Sequence, residues 1–276
     1  MKRLALLITV CILSLGMTPP SEGIVNAQYY LNQAYGPHKR HKMDVYLPAV
    51  RKENTPTIIL IHGGAWVIGN KNSWPAEIIN GLVQQGFAVA CINYRYACGD
   101  FHAQMDDIQS AIDYLRSKST EWQTGNGNIG LAGVSAGAHL SLLFAHKYDT
   151  AHQVKAVVSL AGPTDLGDTL LQQYLNRHFI NFVIKRFLGT TDAQVIADAS
   201  PAINLGKVPT LFINGDRDKL IPIEQSLVMF NTLKTGATPT DTTILHNTGH
   251  YIYGVRNVNI PQLSSEINQW MKTYLQ

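Results

Sequence analysis

The sequence predicts one α/β domain, with a mostly parallel central sheet and helices on both faces. From Val45 onward, short apolar runs bounded by turn residues alternate with longer amphipathic stretches, which is the pattern of repeated strand–helix units. The chain has 276 residues, of which 45% are hydrophobic. That is enough for one large core and too little for two full-sized domains.

The apolar runs predict six strands. Each run is short and almost uniformly apolar, as expected of strands that helices cover on both faces: 57–61, 87–93, 128–134, 154–161, 210–214 and 242–245. Apolar residues at helical spacing predict four helices, over residues 105–118, 136–147, 223–233 and 262–274.

One long stretch, between residues 161 and 210, interrupts this alternation. It carries aromatic residues at roughly helical spacing: Tyr174, Phe179, Phe182 and Phe187. Two interpretations stay open and are compatible. The stretch forms surface helices packed on the sheet, or residues 164–200 form a small cap insertion over an active site.

Charge and composition favour a compact enzyme. Charged residues make up 15% of the chain, against roughly 25% in an average soluble protein. The 22 Lys and Arg residues nearly balance the 19 Asp and Glu residues, and no basic run interleaves with aromatic residues. Nucleic acid is therefore not an expected partner.

The N-terminus is typical of a signal peptide, predicted over residues 1–23. Lys2-Arg3 precede an apolar stretch from Leu4 to Leu15, and Ser14-Leu15-Gly16 offers a small-residue cleavage site. A membrane anchor would need about 20 apolar residues, and this stretch is shorter. We therefore expect an α/β domain over residues 24–276, exported to the periplasm or the extracellular space, without stable membrane insertion.

Two cysteines remain in the mature chain, Cys91 and Cys98. Cys91 sits inside a predicted strand, and a disulfide needs Cα atoms about 4.4–6.8 Å apart. Two free thiols are expected.

Residues 133–137, Gly133-Val134-Ser135-Ala136-Gly137, follow a predicted strand and open a predicted helix. In that context the pattern is typical of a nucleophile elbow, in which a serine occupies a tight, strained strand-to-helix turn. The flanking glycines leave room for the turn. Ser135 is the candidate nucleophile.

A second motif, His62-Gly63-Gly64-Ala65-Trp66, follows the first strong central strand. Small residues here allow backbone N–H groups to point into a site and stabilise an anionic intermediate. The candidate donors are the N–H groups of Gly64, Ala65 and Ala136. His62 is interpreted as a hydrogen-bonding support for this loop.

A serine alcohol needs a general base, and the loop after the last predicted strand supplies His250. His246, at the end of that strand, is the alternative, although a strand residue is less free to reach over the sheet edge. We expect His250 to be the base.

The acid is expected after the strand at 210–214, where both Asp216 and Asp218 are candidates. Asp218 lies further into the loop and can turn back under the histidine. Asp216 follows a glycine and is typical of a turn residue bonded to its own backbone. Asp218 is preferred, with Asp216 in reserve.

Taken together, these motifs resemble the α/β-hydrolase esterases close to hormone-sensitive lipase and, more narrowly, the bacterial bifunctional feruloyl and acetyl-xylan esterases. The matching segments, in chain order, are Met43-Asp44-Val45-Tyr46-Leu47-Pro48, His62-Gly63-Gly64-Ala65-Trp66, Asn93-Tyr94-Arg95, Gln104-Met105-Asp106-Asp107, the elbow, Ala199-Ser200-Pro201, Gly215-Asp216-Arg217-Asp218 and Gly249-His250. The resemblance implies an α/β-hydrolase fold and a triad of Ser135, Asp218 and His250. It also implies that Trp66 contacts substrate, a position that fits feruloyl esterases and kynurenine formamidases.

The expected function is that of a serine carboxylesterase. It would hydrolyse short-chain or aromatic acyl esters, feruloyl or acetyl-xylan esters among them, on small molecules or polysaccharides, without a metal or cofactor. Two alternatives are an arylformamidase-type amide hydrolase and a non-catalytic, ligand-binding member of the fold. The natural ester and the oligomeric state do not follow from the sequence.

Overall fold

A computed structural model describes residues 28–174, 177–254 and 257–276, and in these ranges the chain forms an eight-stranded sheet. The strand order is β1-β2-β4-β3-β5-β6-β7-β8. The strands are β1 (Gln28–Ala34), β2 (Lys42–Leu47), β3 (Thr55–Ile61), β4 (Ala88–Ile92), β5 (Thr124–Val134), β6 (Val154–Leu160), β7 (Thr210–Gly215) and β8 (Thr240–Leu245). Strand β2 runs antiparallel to both β1 and β4, and every other pairing is parallel.

Helices connect the parallel strands and cover both faces of the sheet. They are α1 (Ala76–Gln84), α2 (His102–Ser117), α3 (Ser119–Trp122), α4 (Ala136–Leu143), α5 (Thr169–Tyr174), α6 (Arg177–Leu188), α7 (Ala193–Asp198), α8 (Ile223–Thr235) and α9 (Ile260–Leu275). A 3-10 turn covers Lys71–Ser73, and α4 continues as a π-helical turn over Phe144–Tyr148.

The core consists of two apolar layers, one on each face of the sheet, and β3 shows how they are built. Successive side chains of a strand point to opposite faces. Ile59 and Ile61 join the layer that contains residues of α2 and α4, whereas Ile58 and Leu60 join the layer formed with α1 and α9. All four are fully buried, and each such burial stabilises the fold by about 1.5–3 kcal/mol. The middle of the sheet is therefore a rigid platform for whatever follows its strand ends.

The structure confirms the predicted sheet and the longer predicted helices, with shifted ends. The strand predicted from residue 128 begins at Thr124, and the helix predicted over 136–147 becomes π-helical after Leu143. Strands β1 and β2 and helix α1 were not among the predicted elements. Strand β1 is largely exposed, so it lacks the apolar run on which the other strand predictions rested.

Residues 164–200 contain helices α5, α6 and α7. Phe187 is fully buried and stacks on Trp66 with 4.5 Å between ring centroids, whereas Phe182 is 64% exposed. The side chains of Tyr174 and Phe179 lie outside the described residues. The segment is thus partly packed on the domain, and its action as a cap over the site stays a prediction.

The predicted signal peptide, residues 1–23, also lies outside the described residues. Among the helices that the structure describes, none is both long enough and apolar enough to span a bilayer. Cys91 is buried in β4, Cys98 is exposed, and both are free thiols, as expected.

Candidate active site

Ser135 lies at the tight turn between β5 and α4, with φ of 55° and ψ of −119°. A residue other than glycine in this region is strained, at a cost of about 1–3 kcal/mol. Both glycines of the elbow are needed for close approach. A Cβ atom on Gly137 would lie 2.2 Å from the carbonyl oxygen of Ile61, and one on Gly133 would lie 2.2 Å from the carbonyl oxygen of Gly137. The turn therefore holds Ser135 in the expected elbow conformation.

A hydrogen-bonded chain links Ser135 to a histidine and an aspartate from separate loops. His250 Nε2 lies 2.9 Å from Ser135 Oγ, and His250 Nδ1 lies 2.8 Å from Asp218 Oδ2. The Asp218 side chain is fully buried, and the His250 side chain is 17% exposed. Because an ionised carboxylate only accepts, Nδ1–H donates to Asp218, and the Nε2 lone pair is left to accept from the serine.

Asp218 is fixed by its own loop as well as by His250. Its second oxygen, Oδ1, accepts the backbone N–H groups of Leu220 at 2.8 Å and Ile221 at 3.0 Å. These bonds satisfy the buried carboxylate and set the direction of Oδ2 toward the imidazole.

The alternative pair, Asp216 and His246, is found on the surface. Their side chains are 33% and 83% exposed, and Asp216 Oδ2 lies 3.3 Å from His246 Nδ1. Asp216 also accepts the backbone N–H of Thr248 at 3.2 Å, so it ties its loop to the loop after β8 and does not close a turn of its own backbone as expected. In the described part of the chain, neither residue hydrogen-bonds to Ser135.

The loop after β3 adopts a left-handed turn at three successive residues. The φ angles are 116° at Gly64, 48° at Ala65 and 61° at Trp66. The N–H groups of Gly64 and Ala65 donate no hydrogen bond to another described residue. Ala136 begins α4, where the first N–H groups of a helix have no intrahelical acceptor. These three N–H groups are therefore available for an anion, and their role as donors stays a proposal.

The structure does not support the expected substrate contact by Trp66. Trp66 is 5% exposed, does not line the cleft beside Ser135, and packs between Phe187 and His139. The left-handed turn directs the indole into the core, which spacing along the sequence does not reveal. His139 donates from Nε2 to the carbonyl oxygen of Ala199 at 2.8 Å, and burial lowers the pKa of His139 to about 4.

His62 supports the loop, as expected. It is fully buried, its Nδ1–H donates to the Gly63 carbonyl at 2.6 Å, and its ring stacks on Tyr94. Burial lowers the pKa of His62 to about 3, so the imidazole is neutral and its Nε2 can accept a hydrogen bond. That acceptor lies 3.3 Å from Arg40 Nη2, a contact that the sequence analysis did not anticipate.

A buried carboxylate, Asp107, ties the end of β4 to the start of α2. Its Oδ2 accepts the Arg95 backbone N–H at 2.6 Å, and its Oδ1 accepts Arg95 Nε at 2.7 Å. His41 Nε2 lies 2.8 Å from the same Oδ1. Asp107 and Arg95 belong to segments that carried the family resemblance, and in the structure they connect the end of β4 to the start of α2.

A small cleft of about 110 Å³ opens onto Ser135 and His250. It is lined by Gly63, Gly64, Ile68, Gly69, Ser73, Val134, Ser135, Leu220, His250, Tyr251 and Tyr253. Tyr251 is 45% exposed at its mouth, and Tyr253 is buried. Pockets for drug-sized ligands usually enclose roughly 300–1,000 Å³, so the enclosed part of this cleft suits a small group.

Comparison with known proteins supports the fold and the family. The BD-FAE family model matches residues 43–233. Esterase LipC of Mycobacterium tuberculosis is 29% identical over 234 residues, covering 76% of this chain and 57% of that protein. This chain thus spans little more than half of that relative's length.

Solved structures of esterases have the same fold. A truncated carbohydrate esterase from gut microbiota aligns with a TM-score of 0.76 and 23% identity, over 92% of this chain and 100% of that one. Esterase B from Lactobacillus rhamnosis aligns with a TM-score of 0.79 and 19% identity, over 99% and 95%. The expected α/β-hydrolase fold, with its mostly parallel sheet, is confirmed.

Proposed function

The chain belongs to the BD-FAE family, and from this premise we propose that it is a serine carboxylesterase acting through an acyl-enzyme. The observation that carries the proposal is the continuous chain of hydrogen bonds from Ser135 Oγ through His250 to Asp218, at 2.9 and 2.8 Å. This arrangement removes the serine proton as the oxygen attacks, which is what an alcohol needs to act as a nucleophile at neutral pH.

In acylation, Ser135 Oγ attacks the ester carbonyl carbon while His250 Nε2 takes the serine proton. Asp218 stabilises the resulting imidazolium through Nδ1–H. The carbonyl oxygen becomes an oxyanion, and the N–H groups of Gly64, Ala65 and Ala136 donate to it. The tetrahedral intermediate then expels the alcohol, which leaves with the proton from His250.

In deacylation, a water molecule takes the place of the alcohol. His250 removes a proton from this water as it attacks the acyl carbonyl, and the same donors stabilise the second oxyanion. Collapse of this intermediate returns the proton to Ser135 and releases the carboxylic acid. Both halves of the reaction use the same residues, so a defect in any of them slows both.

The cleft supports a compact acyl group. Its volume is about 110 Å³, and its walls include Ile68, Leu220 and the ring of Tyr253. We propose short acyl esters as substrates, on small molecules or on polysaccharides, with aromatic acyl groups such as feruloyl as the finer proposal. Aromatic walls favour ring contacts by about 0.5–1.5 kcal/mol each. We also propose that the protein is exported.

A substrate panel tests this proposal, with Ser135→Ala as the matched control. The value of kcat/KM is measured for p-nitrophenyl acetate, butyrate and decanoate, for methyl ferulate and for an aryl formamide. Acetate and butyrate should be cleaved faster than decanoate, and the control should be inactive on all five.

Each other outcome has a defined meaning. A preference for decanoate would contradict the compact cleft, and undetectable cleavage of methyl ferulate would remove the feruloyl proposal. Faster cleavage of the formamide than of any ester would favour the amide hydrolase. A wild-type protein that cleaves none of the five would leave a non-catalytic, ligand-binding member of the fold.

A further inference from the structure

The loop that carries Gly64 and Ala65, residues 62–69, is held in a strained conformation. Ala65 and Trp66 both have φ near 50–60°, at 48° and 61°. Left-handed backbone costs an ordinary residue roughly 1–2 kcal/mol. Such strain persists only where surrounding contacts over-determine the conformation. The contacts that hold this loop therefore bear directly on where its N–H groups point.

Arg40, which lies just before β2, reaches this loop from outside it. Its Nε–H donates to the Tyr94 carbonyl at 2.6 Å, which anchors the guanidinium to the end of β4. Its Nη2 then donates to the Gly69 carbonyl at 3.1 Å and lies 3.3 Å from His62 Nε2. The two hydrogens of Arg40 Nη2 thus bind the first residue of the loop, His62, and the last one, Gly69.

His62 transmits the second of these contacts to the loop backbone. Because Nδ1–H donates to the Gly63 carbonyl at 2.6 Å, Nε2 of the neutral ring carries the lone pair that accepts from Arg40. The ring is fully buried, so loss of the arginine would leave this acceptor without a partner, at a cost of about 1–3 kcal/mol.

The ring of Tyr96 packs against the face of the Arg40 guanidinium. The Arg40 guanidinium carbon lies 3.6 Å from the centre of the Tyr96 ring, and the Tyr96 hydroxyl donates to the Gly69 carbonyl at 2.7 Å. Gly69 itself lines the cleft, and a Cβ atom there would lie 2.4 Å from the Gly63 carbonyl oxygen. The two ends of the loop are therefore in direct contact at the point that Arg40 clamps.

We propose that Arg40 is a positioning residue that holds loop 62–69 so that the Gly64 and Ala65 N–H groups are directed at the oxyanion. This inference rests on the proposed function. Arginine suits the position because its planar fork donates in fixed, separate directions, whereas a lysine ammonium is a compact point charge on a flexible stem. Lysine should therefore replace it only in part.

The test compares Arg40→Met and Arg40→Lys with Arg51→Met as the matched control. Arg51 donates to the Pro48 carbonyl at 2.8 Å and to Gln28 Oε1 at 2.7 Å, away from the loop. The measurements are kcat and KM for p-nitrophenyl acetate, and the inhibition constant of a trifluoromethyl ketone, whose adduct with the active-site serine carries an oxyanion.

Arg40→Met should lower kcat by about 10- to 100-fold, below the ~10²- to 10³-fold loss typical when an oxyanion donor is removed outright. KM should stay within about twofold, because acylation and deacylation slow together. Trifluoromethyl ketone binding should weaken by the same factor as kcat/KM. Arg40→Lys should fall between Arg40→Met and the wild type, and Arg51→Met should match the wild type.

Arg40→Met with wild-type kcat would overturn the inference, as would a change confined to KM, or ketone binding that does not follow kcat/KM. If Arg40→Met fails to fold, Arg40→Lys decides by the same three measurements. A wild-type protein that is active on esters while both Arg40 variants equal it refutes this inference alone. A wild-type protein without turnover refutes the proposed function, and this inference with it.

Discussion

Two aspartate–histidine pairs lie on the loops that follow β7 and β8. In the first pair, Asp218 Oδ2 lies 2.8 Å from His250 Nδ1, and the side chains of Asp218 and His250 are 0% and 17% exposed. In the second pair, Asp216 Oδ2 lies 3.3 Å from His246 Nδ1, and the side chains of Asp216 and His246 are 33% and 83% exposed. Of these two histidines, His250 is the one that continues the chain of hydrogen bonds to Ser135 among the described residues.

The difference lies in the distance of each residue from its strand. Asp216 and His246 directly follow Gly215 and Leu245, the last residues of β7 and β8, and they stay on the solvent side of that edge. Asp218 lies two residues further into its loop, and its side chain turns into the protein. Solvent screens a pair as exposed as this one, so the outer pair is a surface feature.

The largest expected difference is between the two histidines. His250→Ala should lower kcat for p-nitrophenyl acetate by on the order of 10⁴- to 10⁶-fold, because the serine loses its base. His246→Ala should stay within about twofold of the wild type, because it touches no reacting group. Steady-state kinetics on both purified variants checks this. The reverse ranking would mean that the loop after β8 is placed wrongly.

A somewhat smaller difference is expected between the aspartates. Asp218→Asn should lower kcat by about 10⁴-fold, because an amide at this position favours the wrong imidazole tautomer. Asp216→Asn should leave kcat within about twofold, since the side chain can still accept from Thr248. A strong loss in Asp216→Asn with an active Asp218→Asn would transfer the acid role to Asp216.

Burial also affects a histidine outside the two pairs, His139, and here the expected effect is a smaller one, on stability. Burial lowers the pKa of His139 to about 4 in the folded chain. In the unfolded chain the same imidazole is protonated below about pH 6.5, so acidification favours the unfolded state. The free energy of unfolding is therefore unaffected by His139 above about pH 6.5, and it decreases as the pH falls toward 4. For His139 alone the loss reaches about 3 kcal/mol.

The test is the free energy of unfolding between pH 7 and pH 4.5, each variant being referred to its own value at pH 7. His139→Gln should lose less stability on acidification than the wild type, because it removes one titrating group. Parallel curves for His139→Gln and the wild type would show that His139 is not held neutral by the fold.

Those parts of the fold and site that are written locally in the sequence could be predicted. The buried strands have apolar runs of their own, and the elbow needs its two glycines within a few residues of Ser135. The order of the loops then selected His250 and Asp218 over their neighbours. Each of these inferences uses residues that are close in the chain or follow a recognised strand.

The rest depends on long-range geometry. The exposed strand β1 shows no apolar run, because most of its side chains face solvent and its backbone pairs with β2. The structure does not support the expected role of Trp66, because its ring packs into the core after a left-handed turn. Arg40 is one basic residue in a polar stretch, and its partners Gly69 and Tyr94 lie 29 and 54 residues away. No local pattern marks such a residue.

The most direct test of the central claim is labelling of the intact protein with a fluorophosphonate, followed by mass spectrometry of the peptides. Only an activated serine reacts rapidly with this reagent. The account predicts a single rapid label on Ser135, none on Ser135→Ala, slow labelling of His250→Ala and wild-type labelling of His246→Ala. Rapid labelling of Ser135→Ala, or a label on any other residue, would contradict it.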